Sequence, residues 1–320
     1  MVVVTGAAGF IGARAVERLT ARGVDLVSVD IPSAFDSRPE HAGINFGHRV
    51  DVAEIGGWLG SRPVQAILHL GACTDTRETN RAYLDRVNLK ASQDLWCYAA
   101  RMGVQLIYAS SAATYGDGSL GYDDDEALIP SLRPLNLYGQ SKQDFDVWAL
   151  AEERRGVCPP AWTGLKFFNV YGFGERHKGR MASVVLHAFD QVVEQGFVKL
   201  FRSHREGIAD GHQARDFVFV DDVVDTLVSL VESPLPRGIF NLGSGGARTF
   251  LDLARAVFAA LGRPADIRFI DTPFDLREQY QYFTEARMTR LRDAGHARNP
   301  VALETGVDRY VSILRQATHA

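Results

Sequence analysis

The chain has 320 residues, a formal net charge of −4 and a pI near 6.1, with 46% hydrophobic and 23% charged residues. That length allows one large domain or two small ones with an ample core. The absence of a basic field argues against nucleic acid as a partner, and no apolar run is long enough to span a bilayer, which argues against a membrane partner. Cys73, Cys97 and Cys158 are odd in number and lack metal-ligand spacing, so no disulfide framework and no metal site are expected. With no signal peptide ahead of the first strand, the expected location is cytoplasmic.

Val2–Thr5 is a β-branched run followed at once by Gly6-Ala-Ala-Gly9-Phe10-Ile11-Gly12 and a helical pattern to about Arg22. Strand, glycine loop and helix in that order form a dinucleotide cradle. The glycines permit a tight turn and close approach, and the helix N-terminus offers N–H groups to a pyrophosphate. Asp25–Asp30 reads as a second strand, and Asp30, 18 residues past Gly12, suits the adenosine ribose hydroxyls. Arg38 and Arg49 are near enough to serve a 2′-phosphate instead, so NAD and NADP both stay open. Asp51 is read as an adenine contact.

Gln65–Leu70 reads as a buried strand running into Leu70-Gly71-Ala72-Cys73-Thr74, small residues that let a cofactor approach the backbone. His69 is expected to be a packed core histidine. A helix over about 80–102 carries Asn88. Val104–Ala109 then leads as a strand into Ser110-Ser111-Ala-Ala-Thr114-Tyr115-Gly116, whose hydroxyls can hold a substrate oxygen. Residues 117–133 read as a loop or lid, with the acidic run Asp123–Glu126 as a solvated face.

Tyr138 and Lys142 in PLNLYGQSK are four residues apart, which stacks them on one helix face. A phenol titrates near pH ~10, and a neighbouring ammonium is expected to pull it down toward neutrality. Such a pair is a proton-transfer device suited to an alcohol being oxidised.

Beyond Arg155 the pattern gives a strand at Thr163–Val170, then Glu175–Ser183 opening a helix to about Gln195, and a strand at Val198–Phe201. A loop over 202–214, a strand at Arg215–Val220 and a helix at Asp221–Glu232 follow. Gly238–Gly245 reads as a strand ending in a turn. A helix near 249–261, a strand near 267–271, the segment Gln279–Thr284 and two terminal helices complete the chain. Alternating strands and helices behind a glycine loop predict an α/β fold, a doubly wound parallel sheet with a smaller C-terminal substrate lobe. Residues 1–167 and 215–247 are assigned to the dinucleotide-binding domain, and 168–214 and 248–320 to the substrate lobe. The site is expected in the cleft between them.

TGAAGFIG, YASSAATYG and YGQSK together resemble the extended short-chain dehydrogenase/reductase superfamily, over nearly the whole chain. HLGACTDT, FFNVYG, HKGRMASV, RDFVFV and YQYFTEA resemble, more particularly, the ADP-glycero-manno-heptose 6-epimerase family, and HKGxMAS is the most specific of these. The resemblance implies a Rossmann-like epimerase that carries tightly bound NADP, takes a nucleotide-sugar substrate and forms a homo-oligomer. It gives Ser111 the role of substrate serine, Tyr138 that of catalytic tyrosine, Lys142 that of its partner on the nicotinamide ribose, and Lys178 that of a second acid/base. Phe10, Ile11, Asp30, Gly71, Ala72, Cys73, Thr74, Asn88 and Val170 fall where the family holds its cofactor. Asn169, Arg180, His187, Phe201, Arg215 and Tyr280 fall where it holds the sugar nucleotide. Three departures stand out: Ile31 replaces a polar residue, Arg180 stands where a serine is usual, and the 202–214 loop is longer than in the shortest members. The implied reaction inverts carbon 6 of an ADP-linked heptose by transient oxidation. A 4-epimerase is the rival within the superfamily. A 4,6-dehydratase would need Thr-Asp-Glu near 111–113, where this chain has Ser-Ala-Ala. A dinucleotide-sensing protein with a dead site is disfavoured by the intact Ser111, Tyr138 and Lys142.

Overall fold

The computed structural model describes residues 1–60, 62–277, 280–296 and 299–319. Among them the strands run β1 (Val2–Thr5), β2 (Leu26–Asp30), β3 (His48–Asp51), β4 (Ala66–His69), β5 (Gln105–Ser111), β6 (Trp162–Phe167), β7 (Asn169–Tyr171), β8 (Val198–Phe201), β9 (Ala214–Phe219), β10 (Gly238–Leu242), β11 (Ala247–Thr249) and β12 (Ile267–Ile270). The helices are α1 (Phe10–Ala21), α2 (Pro32–Asp36), α3 (Ile55–Leu59), α4 (Arg81–Leu84), α5 (Ala91–Met102), α6 (Leu137–Arg154), α7 (Val184–Gln195), α8 (Val220–Glu232), α9 (Phe250–Ala260), α10 (Phe274–Arg277), α11 (Thr289–Asp293) and α12 (Leu303–His319).

Successive strand residues point to opposite faces. Val2 and Val4 enter one core layer with Val16 of α1 and Val223 of α8, while Val3 enters the other with Trp96 of α5 and Phe145 of α6. Both faces are covered, which is why the central strands read as continuous apolar runs. The seven-stranded sheet has the order β10-β6-β5-β4-β1-β2-β3, and all its pairs are parallel. This is the doubly wound Rossmann-like sheet expected from the sequence. Its order reverses between β1 and β4, whose last residues, Thr5 and His69, lie side by side. A doubly wound sheet opens its ligand crevice at that point.

Several elements differ from the sequence reading. The strand expected over 163–170 is two strands in different sheets: β6 joins the main sheet, and β7 pairs with β9 in a three-stranded sheet ordered β11-β9-β7. The helix expected over 80–102 contains a π-turn at Asp85–Lys90, between α4 and α5. Hydrophobic periodicity does not signal such a turn. Strands β3 and β11 are short and were not read from the sequence. The glycine-rich end of β10 is a turn, as expected, with Gly245 at a φ of 77°. Buried Asp216 fastens that turn, accepting from Ser244 N–H at 2.6 Å and Gly245 N–H at 2.9 Å. Gln279 lies outside the described residues.

The acidic run is not a solvated face. Asp124 is fully buried and accepts the Asn241 N–H of β10 at 2.8 Å, and Glu126 accepts the Ile239 N–H at 3.0 Å. Arg290 donates to the Ile239 carbonyl at 2.8 Å, and Arg287 pairs with Asp123. The carboxylates sit here because β10 is an edge strand whose outward N–H groups need acceptors. No helix among the described residues is long and apolar enough to cross a membrane.

Candidate active site

The glycine loop is packed to the limit of what a side chain would allow. A Cβ on Gly12 would stand 2.0 Å from the Gly6 carbonyl oxygen, and one on Gly6 would stand 2.6 Å from the Gly71 nitrogen. The loop therefore lies against residue 71, at the switch point, with Leu70 N–H donating to Thr5 O at 3.1 Å and Gly71 N–H to Thr5 Oγ1 at 3.3 Å. Gly9 caps α1 without a side chain, and the first turn holds no acidic residue. With Phe10, Ile11 and Gly12 forming that turn, the helix start is open to an anion, so these residues fit a dinucleotide pyrophosphate.

Asp30 and Asp51 sit in register at the ends of β2 and β3. Asp30 accepts from Ala8 N–H at 2.9 Å and from Ile31 N–H at 2.8 Å, and Arg38 donates to the Ala8 carbonyl. Asp30 and Arg38 thus grip the same loop residue from two sides. Asp51 accepts from Ala53 N–H at 2.9 Å. Arg49 pairs with Asp36 at 2.7 Å.

The opposite wall is residues 71–74. Asn88, buried on the π-turn, accepts from Cys73 N–H at 2.8 Å and donates to Cys73 O at 3.0 Å and to Ser141 Oγ at 2.9 Å. Its carboxamide thereby fixes the Ala72, Cys73 and Thr74 backbone. His69 is the packed histidine expected: Nδ1 meets Thr5 Oγ1 at 2.7 Å and Nε2 meets Ser92 Oγ at 2.9 Å. Burial and nearby Lys142 push it down to about 3, so it stays neutral.

Tyr138 and Lys142 lie in the first turns of α6, which Asn136 caps by accepting from Gly139 N–H at 2.8 Å. The Ser111 side chain lies close enough to the Tyr138 phenol to favour its charged form, and its Oγ accepts from Ala113 N–H at 3.1 Å. Lys142 is buried and donates to Ala109 O at 2.8 Å. The structure therefore brings Ser111, Tyr138 and Lys142 together at the C-terminal end of β5. It corrects one expectation about them. The phenol is pushed above its ordinary value by burial, with Ser111 opposing, and is not drawn toward neutrality by Lys142. The ammonium spends a hydrogen bond on a backbone carbonyl, and burial lowers it to about 8.

Lys178 lies on the short 3-10 stretch Arg176–Met181, which kinks at Gly179 with a φ of 53°. Its Nζ is 4.0 Å from Glu175 Oε2 and 5.3 Å from the Phe10 ring centroid, over the start of α1. Burial lowers its proton affinity and Glu175 raises it. No hydrogen bond joins Lys178 to Tyr138 or Ser111 among the described residues. Glu175 is fully buried and accepts from Ser183 N–H at 2.7 Å and Ser183 Oγ at 2.6 Å. The His187 ring faces the Arg180 carbonyl at 3.4 Å, and the Arg180 side chain is exposed.

Arg215, Tyr280 and Phe201 form one cluster in the smaller sheets. Arg215 is buried over Tyr280 at 5.4 Å and Phe250 at 5.6 Å, and Phe201 meets Tyr280 edge-on at 6.5 Å. Asn169 opens β7 exposed, next to half-buried Val170. Gln281, which the sequence did not mark, ties this cluster to the turn after β5 by donating to the Gly116 carbonyl. Asp146, Lys166 and Glu175 were also missed. A lysine in the middle of an apolar strand, WTGLKF, was the available signal for one of them. No group of three or more His, Cys, Asp or Glu gathers as a metal site among the described residues.

Residues 2–243 match the family model for the NAD dependent epimerase/dehydratase family. An ADP-L-glycero-D-manno-heptose-6-epimerase of Fusobacterium nucleatum is 42% identical over 97% of each chain. One of Nitratidesulfovibrio vulgaris is 44% identical with the same coverage. Among solved structures, the Helicobacter pylori ADP-L-glycero-D-manno-heptose-6-epimerase shares the fold, with a TM-score of 0.81 at 24% identity over 98% of this chain and 96% of that one. MoeE5, solved with UDP-glucuronic acid and NAD, has a TM-score of 0.77 at 26% identity over 99% of each chain. With the glycine loop at the switch point and the Ser/Tyr/Lys set beside it, these matches lead to one conclusion: the chain belongs to the NAD dependent epimerase/dehydratase family.

Proposed function

We propose that this chain inverts carbon 6 of an ADP-linked heptose by oxidising it to a ketone and reducing it again from the other face. It is an NAD(P)-dependent nucleotide-sugar epimerase. The observation that supports the chemistry best is the meeting of Ser111, Tyr138 and Lys142 at the end of β5, beside a helix start open to a pyrophosphate. The substrate assignment rests on the two relatives above 40% identity. When bound, the nicotinamide supplies the hydride acceptor and donor, so no net redox occurs.

The chain's own residues supply the rest. Tyr138 takes the proton of the carbon 6 hydroxyl, Ser111 holds that oxygen, and Lys142 keeps positive charge beside them. Arg215, with Tyr280 and Phe201, offers a guanidinium fork and aromatic faces to the nucleotide diphosphate. Because hydrogen returns to the carbon it left, turnover in deuterated water is expected to leave no deuterium at carbon 6, read by NMR of the product. Substantial incorporation there would mean deprotonation next to a carbonyl, and the mechanism would be wrong.

Cofactor choice turns on Asp30 and Arg38. Asp30 repels a 2′-phosphate, Ile31 offers no donor, and Arg38 is the cation placed at the same loop residue. A hydrogen bond to a charged group is worth about 1.5–3 kcal/mol. Arg38→Ala should therefore weaken NADP about 10- to 10²-fold and NAD much less, measured by titration of protein stripped of cofactor. Equal losses for both would remove Arg38 from cofactor choice.

A further inference from the structure

Only five lysines occur in the chain, and Lys166 has no place in the chemistry above. It stands inside β6 with its side chain 0% exposed, 2.7 Å from Asp146, which is also 0% exposed. Removing two charges from water costs several kcal/mol per ion, and an apolar pair of similar volume is often as stable or more so. Packing alone does not call for ions here, since Tyr108, Phe145 and Trp162 already join β5, α6 and β6.

The pair is wired into the catalytic set at both ends. Asp146 also accepts from Ser110 Oγ at 2.7 Å and Tyr108 OH at 3.1 Å. Lys166 donates to Thr114 Oγ1 at 2.7 Å, and that hydroxyl donates to the Ser111 carbonyl at 2.8 Å. Asp146 lies four residues after Lys142, on the same face of α6, and Lys142 holds Ala109 O at 2.8 Å. Three consecutive residues at the end of β5 are thus held by three charged side chains, one of them through Thr114.

We infer that Asp146 and Lys166 are positioning residues: they fix Ser110 and Ser111 in place and keep a negative charge beside Lys142 so that it stays protonated. The titratable groups around Lys142 are Asp146, Cys73, His69 and Tyr138. Those around Asp146 are Lys166, Lys142, Tyr108, Tyr115 and Tyr138. Asp146 and Cys73 raise the proton affinity of Lys142 against the burial that lowers it.

The inference rests on Ser111, Tyr138 and Lys142 being the reacting set. The test uses purified enzyme with its cofactor content fixed by mass and its folding checked by thermal melting. In Asp146→Asn, kcat per loaded enzyme should fall about 10- to 10²-fold with KM nearly unchanged. The inflection of kcat against pH set by Lys142 should move to lower pH. Thr114→Val cuts the link to Ser111 with both charges in place, so kcat should fall without that movement. If Asp146→Asn does not fold, Asp146→Asn/Lys166→Met removes both charges together, and the inflection should still move to lower pH. A lower melting temperature with kcat and inflection unchanged would make the pair structural and overturn the inference alone. Native enzyme with no epimerising turnover would overturn the reaction as well.

Discussion

Tyr138→Phe is expected to lower kcat by about 10²–10⁴ while the protein keeps its cofactor. Burial raises the phenol, with Ser111 opposing, so its anion is the stronger base for the carbon 6 hydroxyl, and the phenol formed by taking that proton returns it to the alkoxide once reduction is complete. Phe keeps the ring and its packing and removes the phenolic hydroxyl that carries the exchangeable proton. Cofactor content measured by mass should therefore match the native protein. A Tyr138→Phe enzyme with more than about a tenth of native turnover would leave the proton to another group.

Lys178→Arg carries the second large effect. Inversion delivers hydride to opposite faces of one carbon, and if the oxygen is presented in two orientations a second acid/base group would serve the one that Tyr138 does not reach. Lys178 lies over Phe10 at the start of α1, and burial makes it readier to give up a proton. Buried Glu175, 4.0 Å away, opposes this and keeps the side chain in place. Arginine retains the charge but stays protonated. If Lys178 gives and takes a proton, Lys178→Arg should cost about 10²–10⁴ in kcat with little change in KM for the sugar nucleotide. If it only holds a phosphate, Lys178→Arg should turn over at a near-native rate, and Tyr138 would act alone.

The cofactor half was legible because each signal was local. A glycine loop between Val2–Thr5 and a helical pattern has few uses besides cradling a phosphate, and an acid ending the second strand follows from the same unit. The Tyr138/Lys142 spacing was equally local. Tertiary context governed the rest. Asn88 was visible as a residue on a helix, but its grip on Cys73 depends on a π-turn that leaves no mark in the pattern. Asp124 and Glu126 looked like surface charge because a sequence does not reveal which strand will be at the sheet's edge. The Tyr138 phenol was expected low because the lysine was counted and the burial of both groups was not. Lys166 and Asp146 are 20 residues apart, and nothing in either segment announces the other.

The way β10 is covered limits how copies of this chain can meet. An open edge strand is a template on which another backbone can add, extending one sheet into the next molecule. Here Ile239 and Asn241 have already given their outward N–H groups to Glu126 and Asp124, and Arg290 holds the intervening carbonyl. A neighbour adding there would first have to peel away a buried carboxylate. Any self-association of this chain would thereby be steered away from sheet continuation at β10 and toward side-chain surfaces, which can be built to stop at a defined number of copies.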